Sequence, residues 1–253
     1  MELELKSRDD LERMRRAGAI VAEVLRRLQE EVAPGVTTLE LDRIAESLTR
    51  RRGAVPAFKG YQVGNRVFPA SLCVSVNEEV VHGIPSSREL REGDIVSLDF
   101  GVILNGYYGD AAVTVAVGKV PAEATRLMDV TRESLWEGIQ QMHTGKRLGD
   151  LSHAIQSCAE RSGLSVVREF VGHGIGRRLH EEPQVPNFGQ PGKGRLLREG
   201  MVLAVEPMLN LGGPGVYVKD DGWTAVTRDG SLSAHFEHSI AVTSNGPLVL
   251  TEL

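Results

Sequence analysis

The stretch Val96–Asp110, VSLDFGVILNGYYGD, places two aspartates, Asp99 and Asp110, on one predicted β-hairpin. Its turn signal is Asn105-Gly106, the strongest short indication of a hairpin. A turn centred there pairs Gly101 with Asp110, whereas a turn centred one residue earlier pairs the two aspartates directly. Both registers bring two like charges together beside an apolar run, where a carboxylate needs a compensating cation. The segment therefore predicts a metal site.

Composition and charge exclude several classes of function. The chain of 253 residues has a formal net charge of −5 and no basic stripe, so we expect no direct contact with nucleic acid. It has no run of about 18 apolar residues, so we expect no membrane span. Its charged start lacks the apolar centre of a signal peptide. The only cysteines, Cys73 and Cys158, are consistent with a reducing cytoplasm, which is the predicted location.

Apolar periodicity and capping signals predict four helices. They run from Ser7 to about Val32, from Thr37 to near Gly53, over Ala122–Met142 and over Gly149–Arg161. Ser7 is a suitable cap for the first helix, and Thr37 with Glu40 forms a capping-box pattern for the second.

Alternating apolar residues predict strands both before and after the second pair of helices. The predicted strands are Leu72–Val76, Ile95–Val102, Tyr108–Val117, Val166–Val171, Val202–Leu209, Gly222–Val226 and Phe236–Val242. Because no low-complexity linker divides the chain, we expect residues 1–253 to form one α+β domain.

A weak internal repeat relates the two parts of the chain. Gly35 and Gly53 are 18 positions apart, as are Gly145 and Gly163, and the two pairs are offset by 110 positions. In each pair the first glycine follows a long helical segment and the second follows a shorter one, and strands that carry acidic residues come next. We therefore expect two similar halves, roughly 8–118 and 122–243, that face each other around one central site.

Three later segments supply further candidate metal ligands. FVGHGIGRRLHEEP contains His173, MVLAVEPML contains Glu206 in an apolar run, and AHFEHSIAV contains Glu237. With Asp99 and Asp110 they form a set of mostly hard oxygen ligands. Such a set is typical of a site for Mn²⁺, Fe²⁺, Co²⁺ or Zn²⁺ and differs from a thiolate-rich structural zinc site. The four carboxylates carry a charge of −4, which two divalent ions would balance. Charge balance therefore favours a site for two metal ions.

Five motifs in order resemble those of the type I methionine aminopeptidases: VVHGIP, SLDFGVILNGYYGD, GHGIGRRLHEEP, MVLAVEPM and FEHSIAV. The resemblance covers essentially the whole chain. It implies the pseudo-two-fold pita-bread fold, a curved antiparallel sheet with helices packed on its outer face. It also implies hydrolytic removal of the initiator methionine from nascent polypeptides, with a preference for a small second residue.

The resemblance further implies a role for each candidate residue. The metal ligands would be Asp99, Asp110, His173, Glu206 and Glu237, with Asp110 and Glu237 bridging two ions. Glu206 would act as general acid–base, and His180 would donate to the scissile carbonyl oxygen. His82 would donate to the nitrogen of the scissile amide or help to hold the transition state. The substrate's free α-amine would bind one metal, which explains cleavage at the N-terminus.

The pocket for the methionine side chain is expected to be apolar. Its predicted walls are Cys73, Trp223, Tyr61 and Phe68. Two features differ from the family pattern: the segment Tyr61–Pro69 is a few residues longer than usual, and Leu179 stands where an aromatic residue is common. Neither difference affects a predicted ligand.

Two other functions remain open at this stage. An Xaa-Pro aminopeptidase or dipeptidase would share the fold and ligands, but such enzymes usually have a large N-terminal domain, and here only 81 residues precede His82. A type II enzyme would carry an insertion between His180 and Glu206, which are 26 positions apart. A catalytically inactive binding protein is the second alternative. We expect a monomer that acts on the N-terminal segments of nascent proteins, with contact to the ribosome left open.

Overall fold

The computed structural model describes residues 3–252, and its four helices lie close to their predicted positions. They are α1 (Arg8–Glu31), α2 (Thr38–Arg51), α3 (Ala122–Ile139) and α4 (Leu148–Arg161). The predicted capping box of Thr37 and Glu40 begins α2, and Ser7 caps α1 in the same way. None of these helices is long and apolar enough to cross a membrane.

Most strands of the described residues are short. They are β1 (Val55–Pro56), β2 (Gln62–Val63), β3 (Arg66–Val67), β4 (Cys73–Val76), β5 (Glu79–Val81), β6 (Ile95–Leu104), β7 (Tyr107–Ala116), β8 (Ser165–Val166), β9 (Gly172–Gly174), β10 (Glu181–Val185), β11 (Val202–Val205), β12 (Met208–Asn210), β13 (Val216–Val218), β14 (Ala225–Thr227), β15 (Ser233–His235), β16 (His238–Thr243) and β17 (Gly246–Val249). All of their pairings are antiparallel.

The two longest strands, β6 and β7, form the predicted hairpin. Gly101 pairs with Asp110, and Asp99 pairs with Ala112, so the two aspartates are diagonal neighbours on one face. The turn residues Asn105-Gly106 have φ angles of 50° and 80°, the left-handed conformations that this two-residue turn requires. The register predicted from Asn105-Gly106 is therefore confirmed, and the direct pairing of the aspartates is wrong.

The two larger sheets meet close to the predicted ligands. In the first sheet β6 pairs with β1, β4 and β7, and the second has the order β10-β9-β11-β16-β17. The Glu237 N–H donates to the Ala112 carbonyl at 2.9 Å, and the Ala112 N–H donates back at 3.3 Å. This bridge joins β7 to the segment that enters β16, and so brings the two predicted halves together at their acidic residues.

The helices pack against these sheets and enclose the apolar core. α1 packs on β6 and β7, and α3 packs on α4 and on strands of the second half. At Gly109 of β7 the contact with α1 is so close that a Cβ would lie 2.8 Å from the Gly18 nitrogen. The predicted α+β class, an antiparallel sheet structure covered by helices, is confirmed.

The internal repeat seen in the sequence corresponds to repeated structure. α2 and α4 begin 110 positions apart and end 110 positions apart. Gly35 and Gly145 have φ angles of 89° and 93°, and Gly53 and Gly163 have 71° and 70°. These left-handed angles are the ones that favour glycine after a helix. The glycines therefore punctuate the two parts of the chain in the same way.

Two predicted strands are wrong because each is interrupted beside an acidic residue. The predicted Val202–Leu209 divides into β11 and β12 at Glu206-Pro207, since proline has no N–H for a continuing ladder. The two pieces join different sheets. The predicted Phe236–Val242 likewise gives way to β15 and β16, with Glu237 between them. Glu206 and Glu237 therefore lie between strands, where the alternation of side chains between the two faces of a sheet does not apply.

Two further strand predictions are also corrected. Only Ser165–Val166 of the region around Val166–Val171 is a strand, because Arg168 and Glu169 interrupt its apolar alternation. The strand predicted over Gly222–Val226 begins later, at Ala225. The residues before it form a turn in which the Asp221 carboxylate accepts the N–H of Trp223 and of Thr224, both at 2.8 Å.

Candidate metal centre

One cavity of about 450 Å³ contains every site residue predicted from the sequence. Its lining includes Tyr61, Phe68, Cys73, His82, Asp99, Asp110, His173, His180, Glu206, Trp223 and Glu237. These residues come from both predicted halves of the chain. The fold thus brings together residues that are far apart in the sequence.

Asp110 and Glu237 are held side by side by backbone hydrogen bonds. The bridge between Ala112 and Glu237 fixes the strand segments. The Ser239 hydroxyl donates to the Asp110 carbonyl at 2.8 Å and accepts the Asp110 N–H at 3.2 Å. The relative position of the two carboxylates is therefore set by the main chain.

His173 and Glu206 approach the same point from the second sheet. Ala204 of β11 pairs with His173 of β9, and Glu206 follows directly after β11. The His173 Nδ1–H donates to the Gly174 carbonyl at 2.9 Å, which leaves Nε2 free to act as a ligand. Nε2 lies 3.5 Å from Glu206 Oε1.

The donor atoms of this cluster fit a metal ion. One ligand atom each from Asp110, His173 and Glu237 lie within 4.8 Å of one another. Asp99 and Glu206 fall outside this group of three but line the same cavity. Within residues 3–252, one carboxylate oxygen each of Asp99, Asp110 and Glu237 is buried without a hydrogen-bond partner. Since ionised carboxylates can only accept, a cation is the partner that would satisfy all three.

Burial and mutual repulsion raise the pKa of all four carboxyl groups. Burial raises the pKa of Asp99 to about 7. The pKa values of Asp110, Glu206 and Glu237 are raised well above their ordinary values, first by burial and then by neighbouring carboxylates. Two like charges about 4 Å apart repel by ~4 kcal/mol at an effective dielectric near 20. The cluster therefore attracts either protons or cations.

The histidines of the cavity are neutral near pH 7. Burial, with a smaller effect of His180, lowers the pKa of His173 to about 3 and that of His82 to about 4. Burial also lowers the pKa of His180. A neutral imidazole can serve either as a metal ligand or as a hydrogen-bond donor.

His180 and His82 lie beside the carboxylate cluster in defined orientations. The His180 ring is 4.3 Å from the His173 ring, and its Nδ1 is 2.5 Å from the Tyr61 hydroxyl. The His82 ring packs edge-on against Phe170 at 5.4 Å. Tyr61 therefore orients His180, a contact that the sequence did not indicate.

Apolar side chains form the wall of the cavity next to the cluster. Phe68 and Trp223 pack edge to face, with 5.3 Å between ring centroids. Cys73 pairs directly with Asp99 across β4 and β6, and burial raises its thiol pKa well above the usual value. Leu179 is buried and lines the same cavity. This wall can accommodate an unbranched apolar side chain.

The long segment Tyr61–Pro69 forms a small hairpin at the mouth of the cavity. β2 and β3 pair through Gln62 with Val67 and through Val63 with Arg66. Val63 lines the cavity, and the Arg66 guanidinium donates to the Gly222 carbonyl. This hairpin therefore extends the wall beside Trp223.

His235 is a cavity neighbour to which the sequence assigned no role. It is 1% exposed, and neither ring nitrogen has a hydrogen-bond partner among residues 3–252. Its Nε2 lies 3.8 Å from Glu206 Oε2. Its place two positions before Glu237, in the segment AHFEHSIAV, was the available signal.

Comparison with known proteins identifies what the chain resembles. Metallopeptidase family M24 matches residues 12–244. The chain is 54% identical over 247 residues to a protein of Clostridium perfringens named methionine aminopeptidase, with 98% of each chain covered. It is 52% identical over 240 residues to methionine aminopeptidase 1 of Bacillus subtilis, with 95% of each covered.

Solved structures give the same result for the fold. The crystal structure of methionine aminopeptidase from Thermotoga maritima superposes with a TM-score of 0.97 at 47% identity, with 100% of both chains covered. A prolidase from Pyrococcus furiosus superposes at 0.76 with 22% identity, over 98% of this chain and 65% of the prolidase. The pita-bread fold implied by the five sequence motifs is therefore confirmed.

Proposed function

Because the chain belongs to metallopeptidase family M24, we propose that it is a metal-dependent aminopeptidase that removes the N-terminal methionine of polypeptides. The observation that carries this function is a single cavity in which a carboxylate–histidine cluster adjoins an apolar wall. The cluster supplies the chemistry, and the wall suits a thioether side chain. Relatives that match nearly the whole chain are named methionine aminopeptidases.

Asp99, Asp110, His173, Glu206 and Glu237 would hold the metal, and their four carboxylates would balance the charge of two divalent ions. The number two rests on charge balance, and Co²⁺, Mn²⁺, Fe²⁺ and Zn²⁺ all suit this donor set. A bound divalent ion would supply Lewis acidity, which polarises the scissile carbonyl and lowers the pKa of water.

The chain's own residues would move the protons of the reaction. Glu206 takes a proton from the attacking water and delivers it to the leaving amine, as a general acid–base. His180, held by Tyr61, donates to the carbonyl oxygen as negative charge develops there. His82 donates toward the nitrogen of the scissile amide. All three groups line the same cavity, and burial shifts the pKa of each away from its ordinary value.

The methionine side chain would lie against Phe68, Trp223, Cys73 and Tyr61. A small second residue would fit between this wall and the mouth of the cavity. Action on nascent chains, a monomeric state, a cytoplasmic location and the division into halves 8–118 and 122–243 stay predictions, and contact with the ribosome stays open.

Peptide hydrolysis tests the proposed function against its two alternatives. We expect release of methionine from Met-Ala-Ser in the presence of Mn²⁺ or Co²⁺, and loss of this activity on addition of a chelator. An Xaa-Pro peptide serves as the comparison substrate. Cleavage only of the Xaa-Pro peptide would identify a prolidase-like enzyme, and no turnover with any of the four metals would identify a binding protein.

Replacement of His180 by alanine should separate catalysis from metal binding. We expect kcat for Met-Ala-Ser to fall by about 10²-fold, the usual loss for one donor to a developing oxyanion. Bound metal, measured by elemental analysis, should stay at the wild-type level. His173→Ala is the matched comparison, since it removes a proposed ligand and should lower the metal content. A metal-depleted His180→Ala protein would mean that His180 is a ligand.

A further inference from the structure

A buried lysine of the N-terminal segment contacts the loop that carries His180. Lys6 lies just before α1, and its side chain is only 1% exposed. Its Nζ is 2.7 Å from Glu181 Oε2, and the Glu181 side chain is 6% exposed. The exposed Glu4 adds a weaker contact at 3.3 Å. Lysine and glutamate side chains are rarely this buried unless they are paired, so the pair needs a structural or functional explanation.

Glu181 uses its other oxygen to hold the turn before His180. Oε1 accepts the backbone N–H of Arg177 at 2.8 Å and that of Arg178 at 3.1 Å. One carboxylate therefore joins the Lys6 ammonium to two amides of the turn. Because these two amides lie in the turn that leads into His180, loss of the Glu181 acceptor would loosen the backbone that carries the His180 ring.

The surrounding backbone leaves little freedom to the Lys6 side chain. The Lys6 N–H donates to the Gly200 carbonyl at 2.7 Å, which anchors the segment to the turn before β11. A Cβ on Gly176 would lie 2.2 Å from Lys6 Cε, so the lysine occupies the space beside that glycine. The Tyr108 N–H donates to the Gly176 carbonyl at 2.8 Å and ties the turn to β7.

We propose that Lys6 and Glu181 are positioning residues that hold His180 in its catalytic orientation. This inference rests on the proposed function, because it concerns the His180 of that reaction. Without Lys6 the buried Glu181 carboxylate has no internal cation and turns toward water, which releases the amides of Arg177 and Arg178. A displacement of about 1 Å at a catalytic group can cost roughly 10²-fold in rate.

Kinetics of the full-length protein with Mn²⁺ and Met-Ala-Ser test the inference. We expect Lys6→Met to lower kcat by about tenfold or more, with KM changed less than about threefold. In a His180→Ala background the same substitution should have no further effect on kcat. Arg52→Met, which removes an exposed ion pair with Glu23 of α1, is the matched control and should keep wild-type kcat. Equal losses in both backgrounds would overturn the proposal.

Two double variants distinguish the effect of a hydrogen-bond acceptor at position 181 from the effect of the charge pair between Lys6 and Glu181. In Lys6→Met/Glu181→Gln both charges are absent, but an amide oxygen can still accept the two N–H groups. In Lys6→Met/Glu181→Leu no acceptor remains. We expect kcat of the glutamine variant to exceed that of the leucine variant by about tenfold or more. Equal kcat values in two folded variants would overturn the proposal.

Amide hydrogen exchange provides a measurement that does not depend on activity. The N–H groups of Arg177 and Arg178 should be protected in the wild type and in the glutamine variant, and unprotected in the leucine variant. If the wild type releases no methionine, the proposed function fails. Hydrogen exchange then still tests whether Glu181 holds the amides of Arg177 and Arg178. Equal protection of both amides in all variants would overturn it.

Discussion

Glu206→Gln is expected to lower kcat by about 10³-fold while the protein keeps its fold. General acid–base groups usually contribute between about 10² and 10⁴ in rate, and glutamine cannot accept and return a proton. The substitution preserves the volume of the side chain. It also removes one of four mutually repelling carboxyl groups, whose pKa burial and Asp99 raise. The folded protein without metal should therefore be at least as stable as the wild type.

The measurement is kcat for Met-Ala-Ser with saturating Mn²⁺, together with thermal unfolding in a chelator. Glu182→Gln is the matched control, because Glu182 lines the same cavity but has no proposed role in the reaction. Its kcat should stay near the wild-type value. A Glu206→Gln protein with kcat within tenfold of the wild type would contradict the proton-transfer role.

Local signals in the sequence were sufficient for the elements that carry the first two ligands. The turn residues Asn105-Gly106 determine the register of the hairpin, because their left-handed conformations leave one position for the turn. The capping box at Thr37 likewise located the start of α2. In both cases the deciding interaction joins residues close together in the chain, so a sequence pattern can reveal it.

The position of the other carboxylates could not be predicted in the same way. Apolar alternation continues through Glu206 and Glu237, but the chain leaves one sheet and enters another at each of them. That exchange depends on pairings such as Ala112 with Glu237, which lie far apart in the chain. Their presence in one site was inferred from five motifs together, and their geometry came only from the fold.

Contacts without a local pattern were missed entirely. Lys6 and Glu181 are 175 positions apart, and neither stands out in the sequence. His235 was visible beside Glu237, but its approach to Glu206 depends on the position of β15 next to β12. Residues that position catalytic groups are therefore harder to recognise than the groups themselves, because their function depends on distance rather than on residue type.

Binding of divalent metal should stabilise the protein strongly, and more so as pH rises. In a chelator the folded state keeps protons on Asp99, whose pKa is raised to about 7, and on Asp110, Glu206 and Glu237, whose pKa values are also raised. The unfolded chain releases these protons above about pH 4 to 5. Since the folded state binds more protons, the free energy of unfolding without metal should decrease from pH 5 toward pH 8.

Saturating metal ions should abolish this decrease, because they replace the protons as partners of the carboxylates and leave the folded and unfolded states with similar numbers of bound protons. A free metal concentration of 100 times Kd stabilises the folded state by about 2.7 kcal/mol, which corresponds to a rise in Tm of roughly 5 to 10 °C for a chain of this size. Thermal unfolding at pH 5.5, 6.5 and 7.5, with chelator and with Mn²⁺, measures both effects.

A variant that keeps the fold but lacks two of the proposed ligands makes this test specific. In Asp110→Asn/Glu237→Gln the stabilisation by Mn²⁺ should disappear, and the decrease in Tm with pH should become smaller, because two of the four groups no longer titrate. The double substitution also removes two buried carboxylates that repel each other. Wild-type Tm values that rise with pH in chelator, or that Mn²⁺ leaves unchanged, would contradict a metal centre built from these carboxylates.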